Sequence, residues 1–205
     1  LCSAGGEFAD VFFEEKTGAT LVFENGRVDR IRQGIDRGIG LRILKDNRTL
    51  YAYSTEVSAE EADRLAETLL HATGSTGTLS DLVVRSENVR PVSFIDIDPC
   101  GEDLGRKIAL LVEADEAARS FGDEIKQVRV VFSDERRRVV QVNSSGSRLE
   151  FERTGLLFMA HVTAGRGDLL QTGYEPAGGQ IGMELFRDRS PSSIASTAAS
   201  RALMM

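Results

Sequence analysis

Tryptophan is absent from this sequence, and histidine, cysteine and proline are scarce: two, two and four residues among 205. Each scarcity excludes something. His71 and His161 stand far apart, with no His-Glu-x-x-His, paired-cysteine motif or carboxylate cluster at metal spacing, so no local metal site is visible. Cys2 and Cys100 make no disulfide framework or redox pair and read as free thiols of a cytosolic protein. No apolar run approaches the roughly 18 residues of a membrane span, and no signal peptide is present. Positive charge is not in excess: the net charge is −7 and the pI about 5.0, which argues against nucleic-acid binding. A Gly-x-Ser-x-Gly elbow and a Gly-Lys-Ser/Thr phosphate loop are also missing, although dispersed Ser/His/Asp combinations stay open.

What is present is a patterned globular chain, 41% hydrophobic and 28% charged, enough for one large or two small cores. The stretch from Phe8 to Tyr53 reads as five antiparallel strands. Phe8, Val11 and Phe13 open the first, Thr20–Phe23 the second, Val28 and Ile31 the third, Leu41 and Ile43 the fourth, and Thr49–Tyr53 the fifth. Asn25-Gly26 marks a hairpin, because both central residues of a type I′ turn need positive φ. Gly34–Gly40 is expected to break the chain, and Lys45-Asp46-Asn47 to turn it again. The pattern returns 120 residues later: Ser144-Ser145-Gly146 takes the place of the first turn and Ala164–Gly167 that of the second. This reads as a duplicated meander.

Helices flank the meanders. Leu1–Gly6 reads as the end of one. Ser58 caps a helix carrying Ala62, Leu65, Ala66 and Leu69 on one stripe and ending at Gly74. Asp103–Phe121 is the second, stopped by Gly122, and a third follows the Ser190-Pro191 cap. The fold class expected is α+β: duplicated helix–antiparallel meander–helix units, with helices on one face of the sheet. The organisation expected is a first repeat over 1–74, a connecting segment over 75–101 and a second repeat over 102–205. Leu1 is not a translation start and the sequence stops inside a helical pattern, so the chain reads as cut at both ends.

Candidate functional residues are few. His71 reads as a helix C-terminal residue facing the dipole, and His161 as a satisfied sheet histidine. Glu14-Glu15 and Arg136-Arg137-Arg138 read as solvated strand ends. The glycine-rich segment Glu175–Gly182 reads as a loop, either a binding loop around Gly178-Gly179 or a plain strand-to-helix connection.

Ala9-Asp10-Val11-Phe12, the Glu24-Asn25-Gly26 turn and Asp36-Arg37-Gly38-Ile39-Gly40-Leu41-Arg42 resemble the N-terminal region of the TldD/PmbA family, once called modulators of DNA gyrase and now regarded as metallopeptidases. The Arg-Gly-Ile-Gly-Leu-Arg segment and the tyrosine-bearing fifth strand are more similar to the TldD branch. The resemblance implies a non-catalytic N-terminal domain of a zinc peptidase that processes or degrades small unfolded peptides in the cytoplasm, paired with a paralogous subunit. It places the zinc site, a His-Glu-x-x-x-His helix with a downstream cysteine, after the region seen here. No catalytic, cofactor-binding or metal residue carries over, and no cofactor is expected within residues 1–205. Tyr174, Gly178 and Gly179 are the candidate peptide contacts. The alternative is a stand-alone protein-interaction module with an exposed antiparallel sheet and no enzymatic activity.

Overall fold

The structure is a computed structural model in which residues 7–74, 84–88 and 94–204 are described. The elements run β1 (Phe8–Glu24), β2 (Arg27–Lys45), β3 (Arg48–Ser54), α1 (Ala59–Thr73), β4 (Arg85–Asn88), a 3-10 turn at Pro99–Gly101, α2 (Leu104–Arg119), β5 (Ile125–Asn143), β6 (Ser147–Arg166), β7 (Leu169–Gly179), α3 (Leu185–Asp188) and α4 (Pro191–Leu203). This is an α+β fold. The strands form one seven-stranded sheet in the order β3-β2-β1-β5-β6-β4, with β7 also on β6. The helix end expected at Leu1–Gly6 lies outside the described residues.

The five expected strands of each meander are three. Phe8–Glu24 is a single strand, and Gly34, Gly38 and Gly40 lie within β2 rather than breaking it. None of these three has positive φ, so glycine here weakens a strand without ending it. The turns fall as expected: Asn25 and Gly26 have φ of 54° and 72°, and Asp46 and Asn47 of 50° and 57°, as type I′ hairpins require. Ser58, Asp103 and Ser190 cap their helices through side-chain oxygens that accept backbone N–H bonds. Glu14, Glu15 and Arg136–Arg138 sit in mid-strand, not at strand ends. Glu175–Gly179 is strand, paired with Leu156–Ala160. Gly178 and Gly179 have φ of 158° and 151°, a region nearly closed to other residues, so this glycine pair continues a strand where the sequence suggests a loop.

The chain packs as two compact units. One comprises residues 1–16, 35–91 and 137–152; the other 17–34, 92–136 and 153–205. Each takes chain from both meanders. In the first unit Ala9, Leu41 and Ile43 meet Leu65 and Leu69 of α1. In the second, the alternating residues Leu21 and Phe23 of β1, Val128, Val130 and Phe132 of β5, and Phe158, Ala160 and Val162 of β6 meet Leu111 of α2 and Ile194 of α4. Phe132 and Phe158 are fully buried, roughly 1.5–3 kcal/mol each by area removed from water. Helix α4 approaches β7 closely because Ala195, Ala198, Ala199 and Ala202 face inward and position 173 has no side chain. A Cβ there would lie 1.9 Å from the Ala198 carbonyl oxygen.

A buried ion pair ties α2 to β5 in the second unit. Lys107 Nζ donates to Asp134 Oδ2 at 2.6 Å, with the side chains 5% and 1% exposed. Asp134 Oδ1 accepts from the Ala19 N–H at 2.9 Å and from the Cys100 thiol at 3.4 Å. Burial, and then Asp134, push the Cys100 thiol up to about 12, which leaves it protonated and unreactive at neutral pH. Among the described residues no helix is long and apolar enough to cross a membrane.

Candidate functional site

In the first unit the face of the sheet opposite α1 carries an open hollow. Alternation sends Ala9 and Val11 of β1, Ile39, Leu41 and Ile43 of β2, and Leu50 and Ala52 of β3 toward α1. It therefore sends Phe12 and Glu14, Gly38 and Gly40, and Tyr51 and Tyr53 the other way. These residues, with Asp36, Arg37, Ser54 and Thr55, line an open hollow of about 240 Å³.

The two tyrosines form its wall. Their rings stack with centroids 5.9 Å apart, yet they remain 58% and 72% exposed. Gly40 lies directly across the ladder from Tyr53, and Arg42 from Tyr51. The Tyr51 ring leans over Gly40, where a Cβ would fall 2.4 Å from Oη. Glycine at 40 is what leaves room for the ring. Beside the hollow, Arg42 clamps Asp10: Nε donates to Oδ1 at 3.2 Å, Nη2 donates to Oδ2, and Gln141 Nε2 adds a bond at 3.3 Å. The Asp10 carboxylate holds the Arg42 guanidinium above its ordinary pKa. Arg137 donates to Glu14, so that wall is locally neutralised.

The hollow adjoins a bare sheet edge. The two-residue turn makes Lys45 and Arg48 a hydrogen-bonded pair, and bonded pairs then recur at Ile43/Leu50, Leu41/Ala52 and Ile39/Ser54. Thr49, Tyr51 and Tyr53 fall at the alternate positions, so their backbone N–H and C=O groups point away from β2. Among the described residues no strand pairs with that outer edge of β3. An extended chain laid there gains main-chain bonds from residues whose side chains are the aromatic wall.

The sequence-level candidates lie elsewhere, on β7. Tyr174 pairs across the ladder with His161 and Gly178 with Leu157. The Tyr174 and His161 rings are 4.5 Å apart, and the Tyr174 hydroxyl donates to Met159 Sδ at 3.7 Å. Burial, and secondarily Arg129, lower the His161 pKa from its ordinary value. The structure thus groups Tyr174 with His161 and Met159, and Gly178 and Gly179 extend the same strand. Sequence reasoning passed over Phe12, Tyr51 and Tyr53 as site residues. The available signal was Leu50-Tyr51-Ala52-Tyr53, an alternation that leaves both tyrosines on the face turned from the core, together with glycines two apart at 38 and 40. Among the described residues no three His, Cys, Asp or Glu side chains come together as a metal site.

Comparison with known proteins gives two family-model matches: domain 1 of the PmbA/TldA metallopeptidases over residues 9–73, and their central domain over 97–205. A metalloprotease of Methanocaldococcus jannaschii is 25% identical over 191 residues, 89% of this chain and 41% of the relative. A metalloprotease TldD homolog of Buchnera aphidicola is 22% identical over 200 residues, 94% of this chain and 40% of the relative. The chain therefore spans about two fifths of the length of the curated relatives it matches. Among solved structures, a Thermotoga maritima protein titled as a modulator of a DNA gyrase aligns with a TM-score of 0.75 at 18% identity, over 96% of this chain and 44% of that one. TldE of Thermococcus kodakarensis aligns with a TM-score of 0.73 at 14% identity, over 96% and 44%. At these identities the structural likeness shows the fold alone.

Proposed function

This chain belongs to the PmbA/TldD metallopeptidase family, and from that premise we propose that it is the non-catalytic, substrate-admitting part of a peptidase that acts on small unfolded peptides. The observation that carries the reading is the hollow of Phe12, Tyr51 and Tyr53 beside the open edge of β3. An unfolded peptide brings backbone donors and acceptors at a fixed repeat and side chains of any kind. Edge pairing uses the first without regard to sequence, and an aromatic wall over glycine accepts a broad range of the second.

The described residues do not fit zinc, so no catalytic step is assigned to them. In this reading the metal and the hydrolytic chemistry belong to the remainder of a longer protein, which acts in the cytoplasm with a paralogous subunit. The β7 contacts at Tyr174, Gly178 and Gly179 are retained as a secondary candidate surface.

The test is a titration of the isotope-labelled chain with an unstructured ten-residue peptide, read by amide chemical shifts. Shifts centred on Thr49–Tyr53 and Gly38–Gly40, lost in the Tyr51→Ala/Tyr53→Ala variant, are expected. Shifts confined to Leu169–Gly179 would move the site to β7, and cleavage of the peptide by the chain alone would overturn the non-catalytic reading.

A further inference from the structure

The duplication leaves one strand edge without the neighbour its counterpart has. In the second meander, β4 lies parallel to the start of β6, pairing Arg85–Asn88 with Ser147–Glu150. The Arg85 N–H donates to the Gly146 carbonyl at 2.6 Å. Gly146, Arg148 and Glu150 are thus the residues whose backbone faces β4. Subtracting the 120-residue repeat places Gly26, Val28 and Arg30 at the same positions in the first meander. The same orientation follows from the Asn25-Gly26 hairpin. A two-residue turn makes Glu24 and Arg27 a bonded pair, so Arg27 and Asp29 bond inward to β1, and Val28 and Arg30 point outward. Here nothing fills the place of β4: among the described residues, β2 pairs beyond β1 only through Ile39–Lys45.

We propose that the outer edge of β2 from Arg27 to Gly34 is a docking site for an acidic, extended polypeptide segment of a partner, added as a parallel strand where β4 stands in the other repeat. Charge selects the occupant. This stretch carries Arg27, Arg30 and Arg32 against Asp29 alone, in a chain of net charge −7. The three arginines are exposed and form no ion pair among the described residues. Val28 and Ile31 are 36% and 41% exposed between them and supply apolar contact on either face. A second copy of this edge would bring arginines against arginines, the arrangement by which edge strands avoid self-pairing. A strand with glutamates or aspartates at alternate positions meets the arginines while its backbone meets Val28 and Arg30. This site is independent of the hollow beside β3.

The probe is a fluorescein-labelled peptide, acetyl-Glu-Val-Glu-Val-Glu-Val-amide, titrated with the 205-residue chain by anisotropy, beside a lysine-for-glutamate peptide and a backbone N-methylated one. The acidic peptide is expected to bind, more weakly in high salt, and both controls to bind at least about tenfold less well. Arg30→Pro removes an outward N–H together with one of the three charges, without touching a bond to β1, and should weaken binding at least about tenfold, the worth of one such bond. Arg30→Glu/Arg32→Glu should do the same through charge, and far-UV circular dichroism identical to the parent shows which variants have folded. Equal binding of acidic and basic peptides, unchanged affinity in both variants, absence of binding at millimolar peptide, or a homodimer that Arg30→Pro dissolves would each overturn the proposal.

Discussion

Replacing Asp134 by leucine should be among the most damaging single changes in the second unit. Asp134 is 1% exposed and accepts from Lys107, from the Ala19 N–H and from the Cys100 thiol. Its removal leaves a buried ammonium without its counter-charge, an effect of about 3–5 kcal/mol. It also leaves the Ala19 N–H unbonded, about 1–3 kcal/mol. These overlap, because the Lys107 side chain can relax, so a loss of about 4 kcal/mol is expected. Lys107→Met alone should cost less, near 3 kcal/mol, since the stranded carboxylate keeps its two other donors and methionine still packs on Phe132, whose ring centroid lies 5.5 Å from Nζ. The double variant Lys107→Met/Asp134→Leu strands no charge and should lose only about 1–3 kcal/mol, chiefly at the Ala19 N–H. With no tryptophan in the chain, urea unfolding is followed by far-UV circular dichroism, and unchanged slopes across the four proteins validate the cycle. A coupling of at least about 2 kcal/mol is expected. If the double loss equals the sum of the singles within about 0.5 kcal/mol, the ion pair is not the connection described and the reasoning fails.

Two further outcomes follow from the packing and the electrostatics. Gly173→Ala would drive a Cβ into the backbone of α4, 1.9 Å from Ala198 and 2.7 Å from Ala202, and should lower stability by about 1–3 kcal/mol; Gly34→Ala, with no atom within 4 Å, should stay within about 0.5 kcal/mol in the same thermal melts. The His161 ring should titrate below the ordinary 6.5 in proton NMR, and Arg129→Gln should raise its midpoint toward that value. Because the folded ring then binds its proton less tightly than the unfolded one, stability should fall as pH drops below about 6.5 toward the lowered value; a midpoint above 6.5 would reverse the sign.

The turns, caps and inward-facing stripes were legible in the sequence because each rests on local chemistry. Asn25-Gly26 and Asp46-Asn47 demand positive φ, Ser58 and Asp103 reach their own helix N-termini, and Leu65 and Leu69 fall on one helical face. Strand length was not legible. Gly34, Gly38 and Gly40 have weak strand propensity, and their neighbours on β1 override it. Gly178 and Gly179 mislead in the same way. The site was hidden for a different reason. Tyr51 and Tyr53 look like ordinary strand residues until the register sets them across from Arg42 and Gly40 and at the outer rim of β3. Lys107 and Asp134 come from separate elements, so no local pattern announces them.

Each compact unit draws on both meanders, and β1 lies beside β5, the first strand of the other meander. Either meander alone would therefore have only part of each core and an uncovered β1 or β5. Carrying both on one chain makes their association unimolecular, with a tether in place of dependence on concentration.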